Sequence, residues 1–188
     1  MKKTLRSIVM IAAALYLCTT LSGCGTYNRL VTLDEGVKEA WSQVDTQLQR
    51  RFDLIPNLVE TVKGFAAQEK EVFIKVTEAR SRVAGAGTIP EKIEANNQLT
   101  SALSRLLVVA ERYPDIKSNE NFIRLQDELA GTENRIAVAR RRYNEAVKEY
   151  NVKVRSFPSN LMAKAFDFEK AEFYEAPAEA SAPPKVQF

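Results

Sequence analysis

From Val37 to Val154 the apolar residues recur by threes and fours almost without a break, and that period keeps one face apolar only on an α-helix. Val37, Trp41, Val44, Leu48 and Phe52 open the pattern, and Thr32-Leu33-Asp34-Glu35 ahead of them reads as a capping box. A first helix is therefore expected from about Tyr27 or Leu33 to Arg51. A second is expected from Asp53, whose carboxylate can cap it, with Pro56 in its first turn, to about Ala84. Its apolar positions Leu58, Val62, Phe65, Val72, Val76, Ala79 and Val83 form a bundle seam.

Gly85 and Gly87 mark a loop that ends at Pro90, and Thr88-Ile89-Pro90-Glu91 supplies a second capping box. The third helix carries Ile93, Leu99, Leu103, Leu106, Leu107 and Ala110 and stops near Tyr113-Pro114-Asp115. Ser118 starts a fourth, with Phe122, Leu125, Leu129, Ile136, Tyr143, Val147, Tyr150, Val154 and Phe157 inward. A short helix from Asn160 to Phe166 follows. The fold class is all-α, an elongated antiparallel four-helix bundle with coiled-coil-like seams. One alternative stays open, because the spacing passes through Pro56 in phase and a single kinked helix would preserve it. Such a helix would be about 87 Å long, beyond what the third helix can cover, so a turn at Arg51 to Leu54 is expected.

The N-terminus belongs to no bundle. Lys2, Lys3 and Arg6 precede an apolar run from Ile8 to Leu17, and Leu21-Ser22-Gly23-Cys24 follows. The run is short of the roughly 20 apolar residues that span a bilayer, so it reads as a cleaved secretory leader. Leu21 to Cys24 resembles the lipobox of bacterial lipoproteins, which implies that Cys24 becomes the mature N-terminus and carries acyl chains. Only a thiol in that set is nucleophilic enough to take the lipid as a thioether. Gly25, rather than aspartate, follows the cysteine, which in a cell with two membranes favours the outer membrane, facing the periplasm. The expected organisation is a leader over 1–23, a lipidated tether over 24–32, the bundle over 33–174 and an Ala/Pro-rich unfolded tail over 175–188.

Cleavage changes what charge implies. The chain has 27 basic and 24 acidic residues, and the leader's three bases account for the whole excess. The mature chain is balanced and offers no argument for nucleic acid as a partner. Cys18 leaves with the leader, so no disulfide is expected. There is no histidine, which removes His-based general bases, Ser-His-Asp triads and Glu-x-x-His metal pairs. Gly85 and Gly87 lack the Lys-Ser/Thr of a phosphate loop. No cofactor and no metal are expected.

Gln49-Arg50-Arg51-Phe52-Asp53-Leu54-Ile55-Pro56-Asn57-Leu58-Val59-Glu60-Thr61-Val62-Lys63-Gly64-Phe65 resembles the signature of the LemA family, and Ser156-Phe157-Pro158-Ser159-Asn160-Leu161-Met162-Ala163 its second block. Tyr143-Asn144 and Tyr150-Asn151 extend the likeness over about Tyr27 to Tyr174. The resemblance implies an extracytoplasmic helical bundle tethered at its N-terminus and associated with membrane and envelope processes. It implies no catalytic residues. The lipobox departs from the pattern of family members that keep an N-terminal transmembrane helix.

Four groups of residues are candidates for function, each with a plainer structural role. Arg50, Arg51, Asp53 and Asn57 form a charged patch that could dock a partner; as structure, Asp53 is a helix cap and the arginines cover a bundle end. Arg135, Arg140, Arg141 and Arg142 could bind phosphate, but successive positions on a helix diverge, and Glu133 and Glu145 are near enough to pair with them. Tyr143, Tyr150 and Phe157 recur every seven residues as a groove or, more simply, a core stripe. Glu69, Glu71 and Glu78 specify no second group to act with. Two functional classes follow. The first is a non-enzymatic lipoprotein, held to the membrane through lipid on Cys24, that scaffolds or modulates an unidentified envelope protein. The second is a ligand-binding or carboxylate-dependent hydrolytic lipoprotein with a groove site, disfavoured by seams that are apolar.

Overall fold

The computed structural model describes the backbone of residues 2–175 and the side chains of residues 25–175. The side chain of Cys24 and the tail beyond Glu175 lie outside that described set. Among the described residues all regular structure is helical: α1 (Lys2–Phe65), α2 (Lys70–Gly85), α3 (Ile89–Glu111), α4 (Pro114–Lys117), α5 (Glu120–Arg155) and α6 (Ser159–Ala165). The described residues group into two compact units, 2–40 with 144–172 and 41–143 with 173–175. Helices α1 and α5 contribute a segment to each.

The expected turn at Arg51 to Leu54 is absent, because α1 continues through it and through Pro56. A helix-interior proline costs about 3 kcal/mol. Ile55, Leu58 and Val62 are buried in phase on either side of it, each contributing about 1.5–3 kcal/mol, so burial wins. The Thr32 capping box is likewise unused. Thr32 Oγ1 donates to the Asn28 carbonyl at 2.8 Å, one turn back inside the helix, and Asp34 pairs with Lys38 at 2.8 Å.

The real break comes later, at residues 66–69. Phe65, expected in the seam, is exposed, and Ala66 is buried in its place. Gln68 Nε2 donates to the Tyr113 hydroxyl at 2.7 Å, and that hydroxyl donates to Glu69 at 3.2 Å. The reversal is thus tied to the far end of α3.

In the larger unit, side-chain pairs give an up-down-up-down order. Arg80 of α2 lies over Phe52 of α1, with its guanidinium 4.4 Å from the ring centroid. Arg112 at the end of α3 reaches Glu69 before α2 at 3.7 Å, while Arg82 bonds Gln98. Numbers rise on one helix as they fall on the next, so α2 and α3 are antiparallel. Trp41 meets Tyr143 at 5.4 Å and Arg50 meets Glu128 at 3.1 Å, so α1 and α5 are antiparallel too. The core is built from Ile55, Leu58 and Val62 of α1, Phe73 and Val76 of α2, Leu99, Leu103 and Leu106 of α3, Ile116 of α4, and Phe122 and Leu129 of α5.

The second capping box is present. Glu91 N donates to Thr88 Oγ1, and Glu91 Oε2 accepts from Thr88 N at 3.1 Å and Gly87 N at 2.9 Å. Asn119, one residue after the expected Ser118, caps α5 by accepting from Phe122 N at 3.1 Å.

In the smaller unit Leu30 and Val37 of α1 are buried, as are Val147, Tyr150 and Val154 of α5 and Ala163 of α6. Ser159 Oγ donates to the Lys153 carbonyl at 2.6 Å, which folds α6 back after the cis Phe157–Pro158 bond. Asn151 grips the returning chain twice, donating to Ala171 O at 2.8 Å and accepting from Ala171 N at 2.9 Å. Phe157 falls in this turn and is 81% exposed, so it leaves the α5 seam to which its spacing assigned it.

Candidate functional site

The signature segment in α1 supplies one buried cation. Arg51 is only 8% exposed, and its Nη1 donates to Thr100 Oγ1 of α3 at 3.0 Å and to Glu133 of α5 at 2.9 Å. One guanidinium therefore joins three helices. Its fork of donors suits this, since a single planar group can serve two acceptors on different elements. Burial of its charge is tolerable because Glu133 is half exposed to water.

Other polar groups sit inside the same unit. Asn96 of α3 and Thr132 of α5 are buried. Asn96 donates to the Lys92 carbonyl at 2.8 Å, and Thr132 Oγ1 donates to the Glu128 carbonyl at 2.7 Å. Lys92 Nζ reaches Asp45 of α1 at 2.8 Å. Arg51 Nε and Asn96 Oδ1 find no hydrogen-bond partner in the protein, which costs about 1–3 kcal/mol for each such group. These residues were missed in the sequence. The signal was there as two gaps in the apolar spacing, Ile93 to Leu99 and Leu129 to Ile136, where position 96 and position 132 must point inward.

The structure separates the four patch residues. Arg50 bonds Glu128 at 3.1 Å, with both groups about half exposed. Asp53 is exposed and accepts from Gln49 Nε2 at 2.8 Å; it lies in the interior of α1 and caps nothing. Asn57 is exposed. Positions 50, 53 and 57 share one helical face by their spacing, whereas Arg51 points into the bundle.

The remaining candidates resolve as structure. Tyr143 and Tyr150 are buried core residues. Arg140 lies over Tyr174, 5.6 Å from the ring centroid, while Arg135, Arg141 and Arg142 are exposed and diverge. Glu133 serves Arg51 rather than the arginine run. Tyr174 is buried beside Trp41, with ring centroids 6.5 Å apart, and desolvation pushes its phenol pKa up. Glu71 pairs with Lys75, which lowers its pKa. Glu69 is bound to Tyr113.

Among the described residues the larger unit carries open grooves. One of about 450 Å³ between α2 and α3 is lined by Lys75, Glu78, Arg82, Glu94, Gln98 and Arg105 among others, a mixed-charge surface that singles out no acid and base. Among the described residues no His, Cys, Asp or Glu side chains gather as a metal site. No helix among the described residues is long and apolar enough to cross a membrane.

Comparison with known proteins agrees with this architecture. The profile of the LemA family matches residues 40–188. The chain belongs to the LemA family. The match takes in the Arg51 tie, both ends of α5 and the returning C-terminal segment. Magnetosome protein MamQ 2 of Paramagnetospirillum magneticum is 29% identical over 175 residues, covering 79% of this chain and 64% of its own length. Magnetosome protein MamQ of Magnetospirillum gryphiswaldense is 28% identical and covers 81% of this chain and 66% of its own. Protein LemA of Metamycoplasma hominis is 24% identical, with 81% and 70% covered. The chain thus spans a little under two thirds of the length of the MamQ relatives.

Proposed function

We propose that this LemA-family chain is a non-enzymatic lipoprotein, held to the cell envelope by acyl chains on Cys24, that scaffolds or modulates a protein partner there. The observation that supports this reading most is the use made of the ionisable groups between helices, of which Arg51 is buried. Arg51, Glu133, Lys92 and Asp45 join helices to one another, and a bundle enzyme would instead converge its carboxylates on a cavity. Magnetosome protein is a label of place rather than reaction for the MamQ relatives, which fits a binding role. The second class, a ligand-binding or hydrolytic lipoprotein, is less favoured because the groove between α2 and α3 is open and of mixed charge.

The docking face we assign is the exposed side of α1 at Arg50, Asp53 and Asn57. Arg51 is excluded from it because its guanidinium is buried. In cross-linked purification from envelopes with acylated protein, Asp53→Lys with Asn57→Ala should keep the wild-type circular dichroism and melting temperature while losing the partner band. Retention of that band by the folded double variant would remove this face from the reading. Cys24→Ala should shift the chain out of the membrane fraction; a variant that stays there would contradict the anchor.

A further inference from the structure

The smaller unit exposes apolar side chains where its own core does not need them. Phe157 is 81% exposed, Leu161 61% and Phe166 54%. All three fall within ten residues of chain around α6, and Phe166 carries the cluster to α1 by stacking on Tyr27, 4.8 Å between ring centroids. Soluble surfaces scatter such residues singly, and a gathered set marks something that covers it.

Charge is distributed in the same region in one direction. Residues 25–33 and 153–166 hold Arg29, Lys153, Arg155 and Lys164 and no acidic residue, in a mature chain whose charges balance. Asp34 and Asp167 bound these two stretches directly. Ala171 is bonded to Asn151, and Glu169 acts on Tyr150 together with Asp34. Of these acids Asp34 and Glu169 lie toward Tyr150, back along α5 from Arg155, while Asp167 is exposed beside Phe166. Tyr27 is three residues from Cys24.

We propose that Phe157, Leu161 and Phe166, with the exposed cations Arg29, Arg155 and Lys164 of the same stretches, form a second membrane contact that seats α6 at the headgroup level of an anionic bilayer. The proposal rests on the reading of Cys24 as the anchor, because that anchor brings this end of the unit to the lipid surface. Aromatic and leucine side chains bury at the acyl boundary while basic residues meet lipid phosphates. Acyl chains fix the distance of the chain from the bilayer and leave its orientation free. This contact would set the orientation.

The test uses acylated protein in vesicles of phosphatidylethanolamine and phosphatidylglycerol. Cys24 is blocked by its lipid, so Leu161→Cys and, as a comparison, Ser104→Cys each give one free thiol for a fluorophore. Flotation of the protein with the vesicles reports the anchor. Quenching by nitroxide-labelled lipid reports the contact, and the Leu161 probe should be quenched several-fold more than the Ser104 probe. Floating protein with equal quenching at both positions overturns the second contact and leaves the anchor standing. A Leu161 probe shielded by a second copy, with a dimer in sedimentation and no lipid quenching, also overturns it. Independently of acylation, the mature Cys24→Ala chain should bind phosphatidylglycerol vesicles weakly. That binding should fall about tenfold with Phe157→Ser plus Leu161→Ser and fall again with added salt. Binding indifferent to both changes contradicts the proposal even if the anchor is absent.

Discussion

At the scale of single residues, Arg51 is the side chain on which the larger unit depends most unequally. Removing it abandons a half-exposed carboxylate and a threonine that keeps another bond to the Asn96 carbonyl at 2.9 Å. Removing Glu133 instead abandons a buried guanidinium. Leaving a buried charge uncompensated costs more than leaving an exposed one. Glu133→Ala should therefore lower the unfolding free energy by about 2–3 kcal/mol and Arg51→Ala by about 1–2 kcal/mol in urea titrations. The reverse order would mean that Arg51 is solvated in the native protein. A second residue-scale effect concerns pH. The amides of Gly87 and Thr88 hold the Glu91 carboxyl below its ordinary value. Its stabilisation of α3 is present above the unfolded-state value and disappears as pH falls through the lowered folded value. Protection of the first-turn amides of α3, measured against the intrinsic exchange rate at each pH, should fall over that acidic interval in wild type, and Glu91→Gln should remove the step. Thr88→Ala should cost about 1 kcal/mol at neutral pH.

At the scale of elements, the test of α1 is its proline. Inside a continuous helix Pro56 forfeits one backbone bond, so Pro56→Ala should raise stability by about 1–3 kcal/mol, part of the gain being offset by a freer unfolded chain. Equilibrium unfolding that shows a loss instead would restore the turn at Arg51 to Leu54. How much was legible differs from one helix end to the next. The start of α3 could be read because Thr88 and Glu91 bond to nearby amides, which is local chemistry. The end of α1 could not, because Phe65 and Val72 keep a seven-residue spacing across the break at 66–69 and only the tertiary bonds of Gln68 and Glu69 to Tyr113 reveal it. Phe157 failed for the same reason in reverse, since its spacing ran past the end of α5 at Arg155. The patch at Arg50 to Asn57 was visible as charge. That Arg51 alone turns inward depends on Thr100 and Glu133, about 50 and 80 residues away along the chain.

At the scale of the whole molecule, two helical units are observed, and the anchor at Cys24 and the docking face on α1 are proposed. The all-α class and the LemA family are carried by the helical period and by the matched residues 40–188. The step proposed to give the protein its place in the cell is the acylation of Cys24. Intact-mass measurement of the mature protein extracted from envelopes tests it most directly. The account predicts a chain that begins at Cys24, lacks residues 1–23 and carries the added mass of a diacylglycerol thioether and an amide-linked acyl chain. A mature chain with a free thiol at Cys24, or one that retains the leader, would contradict it.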